Sequence, residues 1–166
     1  CSKFTLKSTL SLKRLTFNKL QYMEIKKIKA KDTYPVRNEV LRKGLPVETC
    51  HFNGDENTDT THFGFYIENN LIGIISIFKE KHHLFPEEIQ FQIRGMAVLE
   101  DYQGKGYGAQ LVNVAESYCL DLGANLIWFN ARERAVAFYQ KLNYKIIGDS
   151  FEIPNVGIHF VMYKKI

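Results

Sequence analysis

Cysteine is scarce in this chain and poorly spaced for chemistry. There are three, Cys1, Cys50 and Cys119, with no CxxC pair and no metal-ligand spacing. An odd count without pairing excludes a disulfide framework and points to a reducing compartment, so a cytoplasmic location is expected and a metal is not. Cys119 falls at a helical position, where a thiol acts as a small core hydrophobe. Long apolar runs are also missing. None approaches the roughly 20 residues that span a bilayer, which predicts a soluble protein with no membrane partner. No stretch has the continuous apolar core of a secretory signal. Beyond residue 22 there is no internal repeat and no low-complexity tract.

Acidic residues are missing from one place only. Residues 1–22 hold Lys3, Lys7, Lys13, Arg14 and Lys19 and no Asp or Glu, and this accounts for the net charge of +4. The rest carries 17 basic and 18 acidic side chains, so a nucleic-acid partner is not expected. The stretch 1–22 is Ser/Thr-rich as well as basic. It reads as an extension upstream of Met23 or as a non-native addition. A targeting segment and an N-terminal helix are the other readings. Residues 23–166 are expected to form one domain. A hydrophobic share of 45% and an aromatic share of 13% suit a packed core.

Periodicity orders that domain. MEIKKI reads as a first strand. Pro35 is expected to open a helix through VRNEVLRKG that stops at Gly44. Residues 44–61 form a polar loop. HFGFYIENNLIGIISIF reads as a hairpin turning at its asparagines. KEKHHLFPEE is a connection in which His82 and His83 are solvated. EIQFQIRGMAV is a third long strand with Ile89, Phe91 and Ile93 on one face, interrupted at Gly95. A helix follows with Leu111, Val114, Ala115, Tyr118 and Leu122 buried, ending at Gly123. NLIWFN is a short buried strand. RERAVAFYQKLN is a second amphipathic helix, with Val136, Phe138, Tyr139 and Leu142 apolar. YKIIGDSF and GIHFVMYKKI close the chain as strands. This order predicts an α/β fold around a mixed sheet.

DYQGKGYGAQLV places Gly104, Gly106 and Gly108 between a strand and a helix. Such a turn lets backbone N–H groups at a helix start approach a phosphate, with Lys105 adding charge. The turn lacks the lysine followed by Ser or Thr of a Walker A loop. Gly104, Gly106 and Ala109 match a dinucleotide fingerprint formally, but Asn130 stands where that site needs a carboxylate. A turn serving only helix packing is the alternative.

The surroundings carry more. IRGMAVLEDYQGKGYGAQLV resembles motif A of the Gcn5-related N-acetyltransferase (GNAT) superfamily, whose core is [Q/R]-x-x-G-x-[G/A]; Gln103, Gly106 and Gly108 match it. NARERAVAFYQKLNYKIIG resembles that superfamily's motif B, with Asn130, Ala135, Phe138 and Tyr139 at equivalent positions and one extra residue before Ala135. Asn143-Tyr144 replaces its usual Gly-Phe. The resemblance covers residues 23–166 and points to a small bacterial branch.

The resemblance implies a mixed sheet of about six or seven strands with helices on both faces, and splayed strands forming an acyl-CoA cleft. It implies acetyl-CoA as donor and a primary amine as acceptor, joined by direct attack in a ternary complex. A non-catalytic acyl-CoA-binding module is the alternative. The turn from Gln103 through Gly104, Lys105, Gly106 and Tyr107 to Gly108 would hold the pyrophosphate. The interruption at Gly95 resembles the family's bulge. The pantetheine arm would lie along Met96, Ala97 and Val98, with Ala97 or a neighbour polarising the thioester carbonyl. Asn130 and Phe138 join the cofactor site; a plain turn asparagine is the other reading of Asn130. Tyr139 matches the acid that protonates the departing thiolate, although spacing alone also fits a core tyrosine. An alkylammonium must lose a proton before it attacks. His159 and Glu152 are the leading candidates to take it, with His62 and Glu88 behind them. Arg94 either faces the cleft, suiting an acidic acceptor, or pairs with a carboxylate. The acceptor pocket falls to VRNEVLRKG, the 44–61 loop and residues 150–159. An exposed edge beside the last strands suggests a homodimer.

Overall fold

Among the described residues seven strands build one mixed sheet: β1 (Met23–Ile28), β2 (Thr61–Ile67), β3 (Asn70–Phe78), β4 (Gln90–Val98), β5 (Leu126–Arg132), β6 (Lys145–Ile153) and β7 (Gly157–Lys165). Their spatial order is β1-β2-β3-β4-β5-β7-β6. Only β4 and β5 pair in parallel; the other neighbours are antiparallel. The helices are α1 (Ala30–Val36), α2 (Tyr107–Asp121) and α3 (Val136–Lys141). The computed structural model describes residues 21–166, and the basic stretch lies outside them apart from its last two residues. Among the described residues no helix is long and apolar enough to cross a membrane.

Alternation along the strands supplies a core to each face of the sheet. Ile74 and Ala97 pack with Val36 of α1. Ile75, Phe65, Phe91 and Phe129 face the other way, against Leu111, Val112, Ala115 and Cys119 of α2 and Tyr139 of α3. The element order and the helices on both faces are as expected. Turn chemistry fixes the β2–β3 hairpin: Glu68 and Asn69 both take positive φ, +49° and +67°, the twist a two-residue loop requires.

Several local expectations shift. Pro35 sits inside α1 instead of opening it. Asp32 decides the start, because its carboxylate accepts the Lys29 N–H at 3.1 Å at the positive end of the helix. Proline supplies no N–H for the Lys31 carbonyl, and the helix widens into a π turn over Arg37–Leu41. Ile89 lies before β4 and is exposed, leaving Phe91 and Ile93 on the buried face. Leu122 lies past the end of α2 and is 47% exposed, while Val112 and Cys119 are buried. The second amphipathic helix is shorter than its pattern, with Glu133–Ala135 forming a 3-10 turn before α3. His82 is half-buried instead of solvated, because its ring packs 4.6 Å from that of Trp128. That burial lowers its pKa, with His83 adding to the effect.

One polar cluster is buried in the α1 face. Arg37 is fully buried and donates to both carboxylate oxygens of Asp55, at 2.6 and 2.9 Å. It also donates to the Cys50 carbonyl at 2.7 Å and the Ser76 hydroxyl at 2.9 Å. Asp55 Oδ2 accepts the Phe52 N–H at 2.7 Å. His62 closes the ring, with Nε2 2.9 Å from the Asp55 carbonyl and Nδ1 2.7 Å from Ser76 Oγ. A carbonyl only accepts, so Nε2 carries a proton, and in the neutral ring Nδ1 accepts from Ser76. These bonds tie the π turn, the 44–61 loop, β2 and β3 into one unit. Asp55→Ala leaves the guanidinium buried without its counter-charge and is expected to cost about 3–5 kcal/mol. Urea unfolding should show a lower midpoint at unchanged slope.

Candidate active site

The site begins as a fault in the sheet. Ile74 of β3 lies opposite Ala97 of β4, but Ser76 lies opposite Arg94, so β4 holds an extra residue between them. Gly95 takes φ +60° there. A Cβ on it would stand 2.9 Å from the Phe52 ring and 3.1 Å from Arg37 Nε. Only glycine lets the bulge close over the Arg37 cluster. Beyond the bulge β4 turns away from β5. Their parallel pairing covers Gln90–Gln92 and Leu126–Trp128 and then stops. A cavity of about 950 Å³ fills the opening between the diverging ends.

The glycine turn borders the same cavity. Gly106 caps α2 at φ +83°, and a Cβ on Gly104 or Gly106 would meet nothing within 4 Å. The amide N–H groups from Gly104 to Ala109 donate to no group among the described residues. They leave a row of donors at the positive end of a 15-residue helix. Gly108 is different: a Cβ there would be 3.2 Å from the Phe138 ring, so this glycine brings α3 close to α2. The Gln103 amide folds back and donates to the Val98 carbonyl at 2.8 Å.

Most of the expected site residues meet here. Met96, Ala97, Val98, Gln103, Gly104, Gly106, Tyr107, Gly108, Asn130, Phe138, Tyr139 and His159 all line the cavity. Lys105 does not; its ammonium donates to the Asp101 carbonyl at 2.9 Å over the Tyr102 ring. Glu152 is exposed on β6 and outside the lining. Glu88 is exposed and paired with Lys81 at 3.0 Å, and His62 belongs to the buried cluster. Cys119 is buried, and desolvation pushes its thiol up to about 12, far from nucleophilic use.

Tyr139 is 6% exposed, with its ring 4.2 Å from Phe129 and 4.9 Å from Phe138. Burial raises its pKa and keeps the phenol protonated. His159 is buried opposite Arg132 in the β5–β7 pairing. Its Nδ1 lies 2.7 Å from the Gly157 carbonyl and must donate to it, which leaves Nε2 with a free lone pair in the neutral ring.

Other lining residues were legible only as regions. Glu39, Val40, Leu41, Arg42 and Lys43 come from the first helix segment, Phe52 from the following loop, and Ile153 and Val156 from the stretch after β6 begins. Arg132 and Arg134 also line the cavity. They stand inside the stretch read as motif B, whose pattern leaves those positions unspecified; the density of arginine in ARER was the available signal. Arg94 faces the cavity and has no carboxylate partner among the described residues. It donates to the Asn53 carbonyl at 3.1 Å and lies over the rings of Phe52 and Phe78.

Known proteins share this plan. The model of the acetyltransferase (GNAT) family matches residues 24–144. An uncharacterized N-acetyltransferase of Bacillus subtilis, YitI, is 35% identical over 142 residues, covering 86% of this chain and 95% of the relative. A putative N-acetyltransferase from Lactobacillus plantarum superposes with a TM-score of 0.71 at 18% identity, over 86% of this chain and 97% of the other. An aminoglycoside 6'-N-acetyltransferase complexed with coenzyme A gives 0.68 at 15% identity, over 86% and 96%.

Gly106→Ala separates conformation from contact at the turn. Its methyl group would meet no atom of the described residues within 4 Å, yet its positive φ is expected to cost about 1–2 kcal/mol. Urea unfolding of that variant checks the value.

Proposed function

The chain belongs to the acetyltransferase (GNAT) family and is an acyltransferase, and we propose that it moves the acetyl group of acetyl-CoA directly to a primary amine. The observation that carries this reading is the gap between β4 and β5, open beyond Gln92 and Trp128 and bordered by the glycine turn. An acyl-CoA has an extended, amide-bearing arm with a pyrophosphate behind it. The arm suits the β4 backbone at Met96, Ala97 and Val98, which β5 leaves unpaired, as an added strand would. The pyrophosphate suits the free amides from Gly104 to Ala109. The coenzyme A in the aminoglycoside enzyme's complex agrees with this choice of donor. Asn130 and Phe138 lie along the same path. Lys105 contributes through charge only, since its ammonium is held at Asp101.

The reaction forms one C–N bond and breaks one C–S bond. In this reading the Ala97 N–H polarises the thioester carbonyl where charge develops. His159 Nε2 accepts the proton that the amine gives up. It is preferred to Glu152 because it lines the cavity and Glu152 does not. Tyr139 supplies the proton that the departing thiolate takes. Burial keeps the phenol protonated into the alkaline range, and the same burial makes it a weaker acid than a free tyrosine. Two buried unpaired cysteines, Cys50 and Cys119, fit a reducing, cytoplasmic setting.

Release of free thiol from acetyl-CoA in the presence of an amine panel tests the reading. Tyr139→Phe is expected to lower kcat by about 10²–10⁴-fold, the span of general acid catalysis, with acetyl-CoA affinity held. An unchanged kcat would assign the proton to water. With wild-type protein, the rate should not fall as pH rises to about 10, where an ordinary tyrosine ionises, because burial keeps the Tyr139 proton on. A fall there that Tyr139→Phe abolishes would contradict the raised pKa.

A further inference from the structure

Resting on that reading, we propose that the acceptor amine carries an anionic group, a carboxylate or a phosphate, seated on the guanidinium groups of Arg42, Arg94 and Arg132. Arg132 Nη2 and Arg42 Nη1 converge on one oxygen, the Leu41 carbonyl, at 2.9 and 3.1 Å. Two cations share a neutral acceptor there. Arg94 likewise has only the Asn53 carbonyl and two aromatic faces. None of the three forms an ion pair among the described residues. Asp55, the carboxylate whose charge acts most on Arg94, spends both oxygens on Arg37.

The balance of the lining points the same way. Lys43 and Arg134 add to the three arginines, against the carboxylates Glu39 and Glu100. Desolvation lowers the pKa of Arg94, and desolvation followed by the charges of Arg134 and Arg42 lowers that of Arg132. Guanidinium groups drawn from water beside one another, without a counter-ion, are stabilised by an incoming anion. A planar carboxylate or a phosphate matches their forked donors.

The cluster is separate from the donor's proposed anion site. Leu41 packs with Val36, Ile74 and Ala97 on the face opposite α2, whereas the free amides of the glycine turn open α2. Arg132 is also the β5 partner of His159, the proposed base. An anion on the arginines therefore anchors the acceptor beside the group that would take its amine proton.

The test is a kcat/KM comparison across amines that differ in the anion alone: amino acids against their amides, O-phosphoethanolamine against ethanolamine, and polyamines as acceptors of opposite charge. The best acceptors should carry the anion and exceed their neutral counterparts by about 10–100-fold, as hydrogen bonds to charged groups imply. The amino-acid and phosphate arms tell carboxylate from phosphate. Arg132→Gln removes the charge and should erase most of that preference through KM. Arg42→Gln should do the same more weakly. Equal or better turnover of neutral amines or polyamines overturns the anionic acceptor and leaves acetyl transfer standing. Weaker acetyl-CoA affinity in Arg132→Gln at unchanged acceptor KM gives the arginines to the donor's phosphates and overturns it too. Absence of acetyl-CoA binding, or of product from every amine, instead sinks acetyl transfer itself.

Discussion

The Arg37–Asp55 ion pair is the constraint on which the rest of the site hangs. A fully buried guanidinium is costly unless its charge is matched. Asp55 supplies the counter-charge and accepts from both Nη groups, while Nε has no partner among the described residues, so the loop carrying Asp55 must fold inward. That fold brings Phe52 over Arg37, 4.0 Å from the guanidinium carbon. The same two side chains fill the space that a Cβ on Gly95 would need. The bulge in β4 and the packing of the loop are thus one arrangement seen from two sides.

From the bulge follows the cleft. An extra residue at Gly95 re-aims β4, and its pairing with β5 ends at Gln92. Unpaired strand backbone is normally a hazard in a protein. Here it faces a cavity with a row of free amides at one end and a buried tyrosine and histidine in its walls. Backbone donors, a protonated phenol and an imidazole fit the thioester aminolysis proposed for this cleft. The arginine cluster adds a side-chain feature to a cleft otherwise built largely from main chain.

Local chemistry was legible in the sequence; long-range pairing was not. The glycine turn, the interruption at Gly95 and Phe138-Tyr139 are short patterns whose physics is complete within a few residues, and the cavity brings them together. Asp55 read only as part of the polar 44–61 loop, because its partner Arg37 lies 18 residues away on a segment read as a helix. His62 looked like a free base for the same reason, and its two hydrogen bonds are visible only in the folded sheet. Pro35 misled because its preference for a first turn is weaker than the Asp32 cap before it. Lys105 is next to the turn in sequence, but its long side chain reaches the Asp101 carbonyl. Glu152 was a candidate by position alone, and because β6 bulges between Ile147 and Phe151 its face could not be counted from the strand's start.

Calorimetric titration of the protein with acetyl-CoA, with NADH as the comparison ligand, tests most directly that the β4–β5 cleft and its glycine turn form an acyl-CoA site. Saturable heat with acetyl-CoA at a dissociation constant on the order of micromolar, and none with NADH, is the predicted result. No saturable heat with acetyl-CoA would contradict it and leave the glycine turn as a packing device.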